Sequence, residues 1–502
     1  MLRKADRLDV IRGGDCTVLG YGVSNRPLVE WLLSHGAGSV TVRDKRSSEE
    51  MERSGDAARL AALGAALICG EDYLRGLAGD IIFRSPGIRP DLPEINEAVA
   101  KGAVLSSEME LFLALTEARI IAISGSDGKT TTTTLTSLML AEACKRRGYG
   151  RVYLGGNIGT PLLPFAEDMT PDDYAVVELS SFQLMTMGSG AGITRGALTN
   201  ITPNHLNWHT DMAEYVAAKT HLLLGETLPE AAILNARDEN TRHIGEAVAS
   251  PVIWFTGERG LPAGYLPDTA DPSRGDRAVY ERAGTLVIVA PHENGVTETP
   301  VLDTDRIRIP GRHNVENFMT AIALTWGYAE PLDVAAVADS FMGVPHRLEL
   351  VREIPRDGGS IRFYNSSIDS SPTRTVAALN AMAEMNAKLG RRAPIVLCGG
   401  QDKHIPFDPL AEGLCRMASR VVVTGEARDQ IMDALHACPD YRPAALPVTV
   451  IPDYREAMEA ACLMAQDGDT VLLSPACTSF DAFKNFEERG EVFRGIVRGL
   501  KI

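Results

Sequence analysis

Short apolar runs alternate with longer amphipathic stretches along nearly the whole chain. Residues 17–20, 40–43, 81–84, 120–124, 152–154, 175–179 and 197–201 are brief runs, mostly rich in β-branched residues, and most are closed by Gly, Ser or Pro, which predicts buried strands. Helical stretches follow several of them, one reaching about residue 35 and others covering 131–147 and 211–224. Residues 106–119 predict a connecting helix, and residues 311–317 open another. From residue 348 the alternation resumes, with strands at 361–364, 395–398, 421–424, 448–451 and 471–473. Such alternation predicts doubly wound sheets of mostly parallel strands. Residues 257–300 break the rhythm: rich in Gly, Pro and charge, they predict a surface hairpin insert. The pattern divides the α/β chain into three domains. Residues 1–119 form a Rossmann-like domain, 120–343 a central P-loop ATPase-like domain, and 344–502 a doubly wound C-terminal domain.

Composition narrows the partners. A chain of 502 residues has room for about three domains. Its net charge of −16 argues against a general nucleic-acid binder, since no basic excess neutralises phosphates. The eight cysteines include no CxxC pair, so neither a zinc site nor a disulfide framework is predicted. No targeting segment or run of about eighteen apolar residues occurs, which predicts a cytoplasmic protein without membrane insertion.

The chemistry centres on Gly125-Ser126-Asp127-Gly128-Lys129-Thr130-Thr131, between the 120–124 strand and a helix. Backbone N–H groups and a helix N-terminus there face an anion. Lys129 would meet the outer phosphates of a nucleotide, and the Thr130 hydroxyl would ligate Mg²⁺. The spacing is one glycine short of the standard phosphate loop, whose first Gly would stand at Ile123. Glu178 closes a buried strand, where it either holds a metal or borders a helix cap served by Ser180 and Ser181. His205 alone reads as a loop residue and Lys219 alone as a snorkelling helix lysine. Near the N-terminus, Gly20-Tyr21-Gly22 has the outline of a dinucleotide turn, but Asn25 replaces its third glycine. Gly22, Val23, Ser24, Asn25, Asp44, Arg46, Ser85, Pro86 and Gly87 follow three strands and could line one crevice. Asn314 and Asn317, three apart on one helix face, could grip a base edge or cap the helix.

Together these stretches resemble the Mur ligase family of ATP-dependent amide-forming enzymes. Its loop has the shortened form G-[ST]-[ND]-G-K-[ST], and residues 154–161, 178–184, 200–205, 311–317, 345–348 and 472–489 follow in family order. The stretch 474–490 is most similar to members that add D-glutamate. The resemblance implies that ATP, as co-substrate, phosphorylates the carboxylate of UDP-N-acetylmuramoyl-L-alanine, and that D-glutamate then attacks the acyl phosphate. It implies two Mg²⁺ ions, the first on Thr130 and Glu178, the second on His205 and a carbamylated Lys219. It implies ATP contacts from residues 125–131, Asn317 and Arg347. UDP is implied at the N-terminal loops, with the muramoyl-alanine end at Asn157, Ser180 and Ser181. D-glutamate is implied at Ser370, Lys403, Ser479 and the backbone around Phe486. The resemblance further implies a monomer whose partners are small molecules. Alternatives within reach are another amino-acid adder of the family, a folylpolyglutamate synthase, a catalytically silent nucleotide binder and a Rossmann oxidoreductase. Three departures stand out: Ser366 and Ile368 replace the Asp and Lys of the usual Asp-Ser-Lys after Asn365, and Asn207 replaces a common Asp.

Overall fold

The computed structural model describes residues 4–187, 192–224, 228–259, 266, 270–292, 295–357, 359–403 and 405–501. The first sheet contains β1 (Asp15–Leu19), β2 (Ser39–Asp44), β3 (Ala66–Cys69), β4 (Ile81–Arg84) and β5 (Val104–Ser106). The order is β3-β2-β1-β4-β5, all parallel. Connections reverse direction between β1 and β4, and at such a switch the loops leaving the carboxyl ends diverge to open a crevice. The turns at 20–25 and 85–88 lie at that point.

The second sheet contains β6 (Arg119–Ser124), β7 (Val152–Gly156), β8 (Tyr174–Glu178), β9 (Ile193–Leu198), β10 (Ala231–Asn235), β11 (Val252–Arg259), β12 (Arg277–Arg282), β13 (Thr285–His292) and β14 (Gly295–Asp303). Its order is β14-β13-β12-β11-β10-β9-β6-β8-β7. Every residue of β8 and β10 is buried, the condition that favours unbroken apolar runs over alternation. The helix Lys129–Arg147 follows β6 and turns Leu135, Met139, Leu140 and Ala143 into the core. Lys145, Arg146 and Arg147 fill its last turn, where cations complement the helix dipole, and Arg146 also pairs with Asp333.

Residues 257–300 are not the surface insert that their composition predicts. β12 pairs parallel with β11, and β13 and β14 continue the central sheet antiparallel. Val279, Leu286, Ile288 and Val289 are fully buried there, whereas β14 leaves much of its length to solvent, which accounts for the polar composition. Residues 260–265, 267–269 and 293–294 of this stretch lie outside the described residues. The connecting helix is shorter than the pattern predicts: Glu108–Leu115, capped by Ser107.

The third sheet contains β15 (Glu349–Arg356), β16 (Gly359–Asn365), β17 (Ile395–Gly399), β18 (Arg420–Thr424), β19 (Val448–Val450) and β20 (Thr470–Leu473), in the order β15-β16-β20-β17-β18-β19. Only β15 is antiparallel to its neighbour. The pattern does not reveal it, because an edge strand bearing charges and Pro355 lacks an apolar run. The chain folds as two compact units, Met1–Thr304 with Glu316–Val337, and Asp305–Val315 with Ala338–Ile502. The first two sheets belong to the first unit and the third to the second.

A buried arginine braces the second unit. Arg489, in the helix Phe486–Gly499, has no exposed surface. Its guanidinium donates to Ser367 Oγ (3.0 Å), Ser367 O (2.9 Å), Thr478 O (3.0 Å) and Cys477 O (3.2 Å). It thereby joins the loop after β16 to the loop after β20. Arg489→Leu leaves the Ser367 and Cys477 carbonyls without their donor, while Thr478 O keeps Gln401 N and Ser367 Oγ keeps Phe486 O, at a cost of about 3 kcal/mol. Calorimetry of the full chain should register a drop of roughly 6–12 °C in one transition; an unshifted trace would contradict the bracing role.

Candidate functional site

β6 ends where Gly125 turns at φ +139°, and a Cβ at that position would collide with Thr199 Oγ1. The loop that follows is held from outside. Ser126 N donates to Asn200 O (2.8 Å), Asp127 N to Asn200 Oδ1 (2.9 Å) and Ser126 Oγ to Thr202 O (2.9 Å). Residues 199–202 are therefore bound to the loop, and β9 stops at Leu198 although the predicted strand runs to 201. Gly128, at φ +81°, caps the helix. Lys129 arches over the loop, its Nζ donating to Ser126 O at 2.8 Å. Thr131 is buried. Asn317 packs against Gly128 and accepts from Thr132 Oγ1 at 3.2 Å, so it abuts the loop. Asn314 turns back to Pro310 O, as a cap.

Glu178 is 2% exposed at the end of β8. One carboxylate oxygen accepts from Thr130 Oγ1 (2.8 Å) and the other from Asn157 Nδ2 (2.9 Å). The helix cap is made by Ser180, in a capping box with Gln183, which leaves Glu178 to the loop. Lys219 does not snorkel. It is 1% exposed, and its Nζ donates to Gly125 O (2.7 Å) and Ser124 Oγ (3.3 Å) beneath the loop. Burial first, then the neighbouring charge of Lys129, hold its amine well below the usual lysine range, against the opposing pull of Glu178 and Asp127. His205 is exposed, at φ +55°, its ring edge-on to Phe182 at 5.0 Å. Asn207 beside it is exposed. Among the described residues no three His, Cys, Asp or Glu side chains form a metal cage. The Thr130–Glu178 pair nevertheless fits Mg²⁺, which takes one or two protein oxygens and completes its shell with phosphates and water.

In the first sheet's crevice, Asn25 Nδ2 donates to Gly20 O (2.8 Å) and Ser85 Oγ (3.0 Å), pinning two loops together. Asp44 accepts from Tyr21 N (2.7 Å) and from Arg46, which also pairs with Asp56 at 2.8 Å. Burial opposes its charge, but these hydrogen bonds outweigh it and keep the Asp44 carboxyl below its ordinary range. Gly22, Val23 and Gly87 form an exposed rim, with Ser24 and Pro86 half-buried behind it. Arg84 is a bracing residue of this region that the pattern missed. It is 1% exposed and donates to Pro86 O (3.0 Å), Ile88 O (2.5 Å), Phe182 O (2.8 Å) and Thr186 Oγ1 (3.1 Å). It fixes the 85–88 loop to the short helix that begins at Ser181. The signal available was a charged residue closing the all-apolar run 81–83.

In the second unit Lys403 Nζ donates to Ser370 Oγ at 3.1 Å, bringing two of the predicted residues together. Partial burial, then the Arg374 charge, lower its basicity. Phe486 O accepts from Ser367 Oγ (2.8 Å), and buried Ser479 anchors the turn to Phe483. His404 lies outside the described residues. Arg347 is half-buried, and its charge acts on Asp369. Ser366, one of the departures from the family pattern, is an internal strut. Ser366 Oγ accepts from Leu348 N (3.1 Å), and buried Asn365 donates to His346 Nδ1 (3.0 Å). Asp369, the nearest acid, is buried against Ser474 Oγ at 2.8 Å.

Burial pushes the Asp369 carboxyl from 3.8 up to about 6, despite hydrogen bonds from Ser366 and Ser474. The folded state therefore holds a proton that the unfolded chain has lost, so this group's contribution to stability falls as pH rises from about 4 to about 6. Asp369→Asn should remove that slope and stabilise the chain at pH 7.5 by on the order of 3 kcal/mol, read as melting temperature against pH. Parallel profiles for variant and parent would contradict it.

Residues 123–325 match the family description "Mur ligase middle domain", and residues 346–477 match "Mur ligase, glutamate ligase domain". A UDP-N-acetylmuramoylalanine–D-glutamate ligase of Ruminiclostridium cellulolyticum is 40% identical over 487 residues, 96% of each chain. Ligases of the same name from Clostridium novyi and Clostridium botulinum are 38% and 36% identical over 98% of each chain. Two solved structures share the fold. MurC, the UDP-N-acetylmuramate-alanine ligase of Thermotoga maritima, has a TM-score of 0.51 and 18% identity, covering 97% of this chain and 99% of that one. MurF from Acinetobacter baumannii has a TM-score of 0.52 and 14% identity, covering 98% and 92%. With both descriptions matched and relatives aligned from end to end, the chain belongs to the Mur ligase family.

Proposed function

We propose that this chain adds D-glutamate to UDP-N-acetylmuramoyl-L-alanine at the expense of ATP, in peptidoglycan precursor synthesis in the cytoplasm. One observation carries the reading: relatives spanning almost all of both chains bear that activity in their names. We divide the chain into domains at 1–119, 120–343 and 344–502, and take the monomer as the working form.

The chemistry follows from charge. A γ-phosphate and a carboxylate repel, so transfer between them needs neutralisation and positioning more than covalent help. Lys129, arched over residues 125–128, supplies a cation at the outer phosphates. Thr130 and Glu178 would hold a first Mg²⁺, and His205 with modified Lys219 a second, the chemistry supplied there being neutralisation of phosphate charge. Asn157, Ser180 and Ser181 face the muramoyl-alanine end, and Asn317 lies toward the adenine. Asp44 and Arg46 serve the UDP. Lys403 and Ser370 receive the D-glutamate side-chain carboxylate, a charge-assisted contact that favours a dicarboxylic amino acid.

An ammonium at Lys219 would repel a metal, whereas a carbamate supplies oxygen ligands. The depressed basicity of this buried amine favours the modification. Its neutral nitrogen attacks the carbon of carbon dioxide, an N–C bond forms as one C=O π pair moves onto oxygen, and the displaced N–H proton passes to water. Lys219→Ala should lose roughly a hundredfold in turnover, with partial return on adding a short carboxylic acid. Unchanged turnover would refute the role.

The deciding experiment is ATP-dependent phosphate release with UDP-N-acetylmuramoyl-L-alanine and each amino acid in turn. Release with D-glutamate alone, with a product heavier by one glutamyl unit, is the expected result. Release with another amino acid, or only with a folate, would overturn the substrate assignment.

A further inference from the structure

His209 belongs to none of the roles above, yet it lies at the centre of a hydrogen-bond chain in the first unit. Its side chain has no exposed surface. Nε2 lies 2.9 Å from Ser181 Oγ, and Nδ1 lies 3.3 Å from Glu214 Oε2. Glu214 is fixed in turn by Arg89, whose Nη2 donates to Oε1 at 2.9 Å, and by Thr210 N, which donates to Oε2 at 2.8 Å. Arg89 also lies over the Trp208 ring, 5.0 Å from its centroid, and Trp208 Nε1 donates to Gly87 O at 3.2 Å. Phe182 covers the other side of the His209 ring at 5.7 Å. The whole segment 205–214 is thus locked against the 85–89 loop.

Donor and acceptor accounting fixes the direction of the chain. A carboxylate only accepts, so the hydrogen between His209 and Glu214 sits on Nδ1. Burial, outweighing the pull of Glu214, lowers the basicity of the ring and keeps it neutral, so Nε2 is an acceptor and the Ser181 hydroxyl must donate to it. Arg89 holds Glu214 ionised, with its carboxyl down at about 2. The Ser181 proton is committed, and its oxygen has only lone pairs to offer. Such an oxygen does not suit a carboxylate, which needs donors. It suits an N–H. Asn157, already donating to Glu178, has a second N–H for the carboxylate.

We propose that His209, held by Glu214 and Arg89, is a positioning residue that turns Ser181 into a hydrogen-bond acceptor for the amide N–H of the muramoyl-alanine substrate, one carbon away from the reacting carboxylate. The inference rests on the functional reading above and adds the atom that Ser181 recognises. It makes the site selective for an amide-linked over an ester-linked acid.

The test compares UDP-N-acetylmuramoyl-L-alanine with the analogue carrying L-lactate in place of L-alanine, where an ester oxygen replaces the N–H. KM and kcat are measured for the full chain and for Ser181→Ala, His209→Phe and His209→Gln, with a melting curve for each. The parent should show about a tenfold lower KM for the amide, the size of one hydrogen bond, with kcat within about twofold. Ser181→Ala and His209→Phe should erase that preference. His209→Gln, whose side-chain carbonyl can occupy the Nε2 position, should restore most of it, a rescue that a merely structural role would not produce. An equal KM for both substrates in the parent, or a preference surviving in Ser181→Ala, would overturn the inference while leaving the functional reading intact. Absence of phosphate release by the parent with the amide substrate and D-glutamate would overturn the functional reading, and this inference with it.

Discussion

Glu178 cannot be buried at a strand end without partners, and much of the first unit answers that constraint. A carboxylate out of water costs several kcal/mol unless it is hydrogen-bonded on both oxygens. Thr130 and Asn157 provide those bonds, and each requires its own backbone placement. Thr130 is in reach because β6 and β8 are parallel neighbours with Ile123 opposite Glu178. Asn157 is in reach because β7 flanks β8 with Gly156 opposite Glu178, at a φ of +97° where a Cβ would collide with Glu178 O. The same two contacts place a hydroxyl, an amide and a carboxylate beside the first turn of the phosphate-loop helix. The fold's way of satisfying one buried acid is also the donor set that a phosphate-bound cation would use.

The two lysines of the loop divide their roles by burial. Lys129 arches over residues 125–128 from the first helical turn, where an ammonium and a helix N-terminus add their fields. Lys219 lies beneath, donating to Gly125 O, and the charge above it is one cause of its lowered basicity. Two ammoniums sharing one loop would oppose each other, and desolvation decides which one yields. The buried amine is therefore the nucleophilic one, and its neighbour keeps the charge that phosphates need.

The sequence revealed most of what periodicity and glycine spacing encode. The parallel strands, the loop 125–130, the acid at 178 and the loops at 22–25, 44–46 and 85–87 were all legible, because each follows an apolar run that ends at glycine, serine or a charge. Elements whose residues answer to tertiary contacts were not. β9 ends before the predicted strand does because Thr199 and Asn200 serve the loop next door. β12–β14 read as an insert because β14 wets one face. Ser366, Ser367 and Ile368 after Asn365 read as an altered ligand motif, but Asn365, Ser366 and Ser367 bond to His346, Leu348 and Phe486, partners on other elements.

Arg84 and Arg489 show why such residues escape a linear reading. Arginine is mostly a surface residue, so its presence in a sequence argues for solvent. Both are nonetheless nearly or fully buried, and burial lowers their basicity, Arg84 down to about 10. Each donates mainly to backbone carbonyls rather than to a carboxylate. Loops that leave the carboxyl ends of parallel strands carry carbonyls with no ladder partner, and a planar five-donor fork can satisfy several at once. Lysine, with three donors around one point, could not span carbonyls of two separate loops. The loops that bear the candidate ligand contacts therefore owe their rigidity to side chains that bond to the loops' own backbone. Their identity follows from the count of orphaned carbonyls, a quantity that only the folded chain displays.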